Sequence, residues 1–189
     1  MACPARGNAP RAVSAPLRYR LADPIGPVSE PALQIFETAA PFADALPDGG
    51  VLMGLDLGSK TIGTAFCDAG WRFATAGKTL PRGKFGRDRE VLEKLVAERG
   101  ITGIVLGLPR NMDGSEGPRA QASRAYARNL ASPLGLPVLL WDERWSTTSA
   151  TRDLIGQDAS RKKRGAVIDA HAAAVILQGA IDALTGASF

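Results

Sequence analysis

The sequence is poor in the residues that soft-metal and thiol chemistry require. It has two cysteines, Cys3 and Cys67, far apart, and a single histidine, His171. They form no CxxC pair and no zinc spacing, so a structural zinc site is excluded and two reduced thiols are expected. Nothing approaches the roughly 18–20 consecutive apolar residues of a membrane span. Acidic residues are absent from residues 1–22, which are rich in Arg and Ala as a transit peptide is. Pro4, Pro10, Pro16 and Pro24 break any amphipathic helix there, so residues 1–31 read as a flexible N-terminal extension. The remaining length suits one domain with its own core. A net charge of +4 permits a nucleic-acid partner without requiring one.

Residues 32–50 read as a short helix interrupted by Pro41 and then a turn, Pro47-Asp48-Gly49-Gly50. The folded core is expected over 51–186. Residues 51–57 are an apolar run interrupted only near its end, by Asp56, and read as a buried strand. Two more strands, 62–68 and 71–80, follow after short turns and predict an antiparallel meander. Val91, Leu92, Leu95 and Val96 share one face of a helix over 86–99, and Gly100 stops it. Residues 101–108 form an apolar fourth strand, 119–131 a helix and 137–141 a fifth strand. A helix capped by Ser146 is expected to run to Ile155, then a loop over 156–165, then a last helix over 167–184. The crossovers make strands one, four and five parallel. The fold class is α/β, a mixed five-stranded sheet with helices on both faces.

The acids stand where solubility does not call for them. Asp56 ends one apolar strand, Asp142 and Glu143 end another, and Asp169 precedes the apolar run of the last helix. A buried carboxylate is costly unless a cation or hydrogen-bond donors compensate it. Sites in open sheets form at the carboxyl ends of parallel strands. Converging carboxylates without His or Cys suit a hard cation, Mg2+ or Mn2+, and two such ions can cleave a phosphodiester. Each acid alone has an ordinary alternative: a turn cap, or for Asp169 a charge at a helix N-terminus. Gly58 and Gly63 let the backbone approach an anion closely, and Lys60 can neutralise a phosphate.

Four segments resemble one family. Gly54-Leu55-Asp56-Leu57-Gly58 with Ile62-Gly63 is similar to the opening of YqgF/RuvX proteins. The loop from Gly107 to Ser115, the run Asp142-Glu143-Arg144-Trp145-Ser146-Thr147 and the stretch Asp169 to Leu177 resemble their later hallmarks. In the last of these, His171 stands where a small or polar residue is expected. The resemblance covers about residues 51–184. It implies an RNase H-like fold and a nuclease whose acidic triad falls on Asp56, Glu143 and Asp169, with Asp142 the substitute for Glu143. It also implies processing of the 5' end of the small-subunit ribosomal RNA precursor, with ribosomal particles as partners, or cleavage of branched DNA as a Holliday junction resolvase. A cytoplasmic monomer or homodimer is expected. Candidate nucleic-acid contacts are Lys60, Arg110, Asn111, Arg144, Trp145 and the run Arg161, Lys162, Lys163, Arg164. Trp141 is expected in the core, Trp71 as a weaker stacking candidate, and His171 as a packed or hydrogen-bonded side chain. Two other classes compete: an actin-like phosphotransferase, which needs a second related subdomain, and a non-catalytic ribosome or transcription accessory factor.

Overall fold

The computed structural model describes residues 33–47, 49–145 and 161–186, all within the compact unit Pro31–Phe189. The N-terminal extension and the helix expected from Ser146 lie outside these residues. In chain order the elements are β1 (Ile35–Phe36), α1 (Ala39–Ala45), β2 (Val51–Leu57), β3 (Thr61–Cys67), β4 (Ala74–Ala76), β5 (Leu80–Pro81), α2 (Phe85–Arg99), β6 (Ile101–Leu108), α3 (Pro118–Leu134) and β7 (Val138–Asp142). A 3-10 turn, Glu143–Trp145, and a long helix α4 (Arg161–Thr185) complete them.

The strands form one sheet in the order β1-β7-β6-β2-β3-β4, with β5 also on β3. β2, β3 and β4 make the antiparallel meander. β6 is parallel to β2, and β7 is parallel to β6. The five expected strands thus stand in the order 3-2-1-4-5 in one mixed sheet, as the sequence predicts. β2 and β6 are apolar because both of their faces are covered. Alternation sends Met53, Leu55, Ile104, Leu106 and Val138 into the core under α2 and α3. It sends Leu52, Val105 and Leu139 into a second core with Ala173, Ile176 and Leu177 of α4.

Four expectations change. The single strand over 71–80 is two short ones. Trp71 adopts a positive φ of 50° and its Nε1 donates to the Gly50 carbonyl at 2.8 Å, so this part of the chain turns where a strand would extend. The sheet also gains an edge strand, β1, parallel to β7. α1 is not interrupted by Pro41, its third residue, because a first-turn N–H has no partner within the helix to lose. The basic run, expected in a loop over 156–165, is helical, since α4 starts at Arg161 and takes it in.

β1 and α1, both before Val51, therefore belong to the packed body. Phe42 is fully buried in the α4-side core, and its ring lies 6.0 Å from that of Phe36. Phe42→Ala is expected to cost about 3–5 kcal/mol of stability in urea unfolding. A loss under about 1 kcal/mol would show that α1 is peripheral.

Candidate active site

Asp56 is the sixth residue of β2 and only 5% exposed. It shares the α4-facing side of the strand with Leu52 and Gly54. After Leu57 the chain reverses through a turn closed by the Gly58 N–H donating to the Thr61 carbonyl at 2.9 Å. Arg82 holds this turn from outside. Its backbone N–H donates to the Lys60 carbonyl at 2.9 Å, and its Nη1 donates to the Gly58 carbonyl at 2.6 Å.

Helix α4 lies directly on β2 and β3. A Cβ at Gly54 would stand 2.7 Å from Leu177 Cβ and 2.8 Å from the Ala173 carbonyl oxygen. A Cβ at Gly63 would overlap the carbonyl oxygen of Asp169. Gly63 is also the cross-strand partner of Asp56. The backbone of Asp169 is thereby set over the residue beside Asp56. The Asp169 carboxylate accepts a hydrogen bond from Thr61 Oγ1 at 2.6 Å. Asp56, Thr61 and Asp169, with Gly58, Ser59 and Arg119, line one solvent-open cleft of about 450 Å³. Asp169 occupies the third turn of a helix that starts at Arg161. A macrodipole role fades beyond the first turn and does not account for it.

The adjacent acids at the end of β7 separate by face. Trp141 faces α4, where its indole packs on Gly179, so Asp142 faces the other side. There Asp142 accepts from Arg144 Nη2 at 2.8 Å and stands 3.6 Å from Arg110. Glu143 turns back toward α4. A Cβ on Gly107 would meet Glu143 Oε1 at 2.5 Å and Ile176 Cδ1 at 2.7 Å. The β2–β6 register pairs Leu55 with Leu106, so its next step sets Gly107 beside Asp56. Glu143 therefore stands on the sheet face that bears Asp56, over the strand beside it. Among the described residues, no three His, Cys, Asp or Glu side chains are close enough to form a metal-binding group. Asp56 and Asp169 share the cleft, and Glu143 is its neighbour.

A family model described as RuvX, Holliday junction resolvase, matches residues 50–183. The chain belongs to the RuvX family. It is 61% identical over 155 residues to a protein of Novosphingobium aromaticivorans named "Putative pre-16S rRNA nuclease", covering 82% of this chain and 99% of that one. It is 62% identical over 149 residues to a protein of Sphingopyxis alaskensis with the same name, covering 78% and 97%. Among solved structures, Thermus thermophilus RuvC in complex with a Holliday junction substrate aligns with a TM-score of 0.45 and 14% identity, covering 67% of this chain and 91% of that one.

The expected phosphate contacts of this RuvX protein divide. Lys60 and Asn111 are exposed on loops at the carboxyl ends of β2 and β6. Arg110 and Arg144 are engaged with carboxylates. Arg110 pairs with Glu37 and Glu116 at 3.0 Å each, and Arg124 joins the same two acids at 2.7 and 2.6 Å. Arg144 Nη1 also reaches the Met112 carbonyl at 3.4 Å. These bonds fix the loop between β6 and α3 and tie Glu37, just past β1, to α3. The side chains of Trp145 and of Arg161, Lys162, Lys163 and Arg164 lie outside the described residues. Trp71 is anchored to Gly50, Trp141 is half-buried, and His171 is exposed on α4. Sequence reasoning missed Thr61, Arg82 and Arg119. Thr61 acts on a residue 108 positions later, a contact that no local pattern announces.

The ion-pair cluster has a pH signature. The hydrogen bond from Arg124 is the main cause that lowers the Glu116 carboxyl to about 2, with Arg110 assisting against burial. Glu37 is lowered by the same two arginines, Arg124 foremost. Burial raises Asp142, but the side-chain and backbone bonds of Arg144 outweigh it and the net shift is downward. A depressed carboxyl contributes stability that is complete above its unfolded value, 4.5 for Glu116, and is lost as pH falls through the folded value near 2. Thermal midpoints are therefore expected to fall steeply between pH 4.5 and 2. Glu116→Gln should lower the midpoint at pH 7 and flatten that acid limb. An unchanged acid limb in the variant would remove the cluster from the account.

Proposed function

We propose that this RuvX chain is a metal-dependent endonuclease for structured nucleic acid, with the 5' end of precursor 16S ribosomal RNA as its substrate in the cytoplasm. The observation that supports this most is the cleft in which Asp56 and Asp169 face one opening, with Glu143 on the same face of the sheet. The name borne by relatives about 60% identical over nearly their whole length supports a nuclease and the ribosomal substrate.

The donor set fits a hard cation in kind. The cleft offers carboxylate and hydroxyl oxygens and no histidine or cysteine. Asp56 and Asp169 would hold Mg2+ or Mn2+, two ions being the expected number, and Glu143 on the same sheet face would complete the set by a side-chain movement. When bound, such ions activate water and stabilise the leaving oxygen of a phosphodiester. The residues of the chain perform the remaining tasks. The Thr61 hydroxyl fixes one oxygen of Asp169 and so orients the other. The short Gly58–Lys60 turn keeps the approach to Asp56 open. Arg119 on the rim of the cleft offsets the repulsion that two carboxylates impose on an incoming phosphate.

The family description favours a second substrate, the four-way DNA junction. Symmetric cleavage of two strands suits a two-fold dimer, whereas RNA trimming suits a monomer as well. A parallel assay on precursor ribosomal RNA and a four-way junction, with Mg2+ or Mn2+, separates the two. The wild type is expected to cut the RNA, and Asp56→Asn to lose at least about a thousandfold in rate while still binding. A wild-type protein that binds both substrates and cuts neither would leave an accessory factor in place of an enzyme.

A further inference from the structure

A second cavity, about 240 Å³, adjoins the acid cleft and has no part in holding the acids. It is lined by Leu57, Gly58, Ser59, Arg82, Pro118, Arg119 and Ala122. Gly58, Ser59 and Arg119 line both cavities, so the two form one continuous groove across the β2–β3 turn. The chemistry changes along it. The first part presents two carboxylates and a hydroxyl. The second has an apolar floor of Leu57, Pro118 and Ala122 with two guanidinium groups above it.

Those arginines differ from the others near the site. Arg110, Arg124 and Arg144 are neutralised by acids. No carboxylate among the described residues pairs with Arg119 or Arg82. Arg119 is exposed in the first turn of α3, which contains no acid. Arg82 donates to the Gly58 carbonyl and lies with its Cζ 5.9 Å from the centre of the Tyr126 ring, so its charge is held in place rather than swinging in solvent. The helix N-terminus of α3 adds positive potential in the same direction.

We propose that this annex is the subsite for the nucleotide next to the scissile phosphate. The base or ribose of one strand lies on Leu57, Pro118 and Ala122, and its phosphate is gripped by Arg119 with Arg82 behind it. A strand entering the groove then places the adjoining phosphodiester over Asp56 and Asp169. The occupant follows from charge and shape. The pairing of cationic rim and small apolar floor matches a nucleotide, and the volume leaves room for one such unit. The inference rests on the nuclease reading for the meaning of the neighbouring phosphate, but the binding it requires is independent of cleavage.

The test is therefore a binding titration of full-length protein with a fluorescent single-stranded RNA oligonucleotide and its DNA counterpart, repeated across a range of salt. Arg119→Ala should weaken binding about tenfold, the loss of one charge-assisted contact. It should also make the slope of log K against log salt shallower by about 0.7, the release of one phosphate contact from a single strand. Arg119→Lys should restore the slope. Ala122→Glu, at an exposed helix position, should weaken binding at least as much as Arg119→Ala, because it sets an acid on the floor. All three variants should keep the wild-type thermal midpoint. Equal affinity and slope in wild type and Arg119→Ala, or a wild type that binds neither oligonucleotide, overturns the subsite. Failure of the nuclease reading looks different: the Arg119 effects on binding persist while wild-type protein cuts nothing.

Discussion

Helix α4 can lie this close to the centre of the sheet only because β2 and β3 offer glycine at two points of close approach. At Gly54 the neighbouring atoms are Leu177 Cβ and the Ala173 carbonyl, and at Gly63 they are the carbonyl of Asp169 itself. A methyl group at either place has no room, since backbone cannot yield as a flexible side-chain tip does. This approach sets the height of α4 above the sheet, and with it the position of Asp169. Gly63 pairs across the ladder with Asp56, so one contact fixes both the packing of the helix and the proximity of two acids. Thr61, two residues earlier, supplies the hydroxyl that orients the second acid.

The rest of the site is organised around that contact. The parallel β2, β6 and β7 bring Asp56, Gly107 and the Glu143 turn to one edge of the sheet. Gly107 lacks a side chain where the Glu143 carboxylate folds over it. On the opposite face, Asp142 is held with Arg110 and Arg144 in the cluster that also includes Glu37, Glu116 and Arg124. Two neighbouring acids therefore have separate roles. One stabilises the loop between β6 and α3, and the other folds over Gly107 on the α4 face of the sheet. The arginines of that cluster are occupied with internal acids; Arg119 lines the acid cleft instead, and Arg82 joins it in the adjoining cavity.

Much of this was legible in the sequence, for physical reasons that differ by element. β2 and β6 are apolar on both faces, and α2 has a periodic face with Gly100 at its end, so their type and place could be read directly. Asp56 and Asp169 stood out because each interrupts an apolar element. That Asp142 and Glu143 lie on different faces follows from the alternation along β7 plus the turn after it, and only the structure supplies the turn. β1 was missed because two residues carry no period. The 71–80 strand was overread because Trp71 and Phe73 suggest a strand while the backbone at Trp71 turns. Arg110 and Arg144 looked like phosphate contacts because a sequence shows charges without their partners. Thr61 and Arg119 were passed over because their roles depend on residues far away in the chain.

The central claim is that Asp56 and Asp169 act together as ligands of a divalent cation. The most direct measurement is anomalous diffraction at the manganese edge from crystals of the protein grown with Mn2+. A strong peak is expected between the two carboxylates, within about 2.5 Å of an oxygen from each, as hard cations require. Manganese bound elsewhere, or a cleft that stays empty while the ion is plentiful, would contradict it.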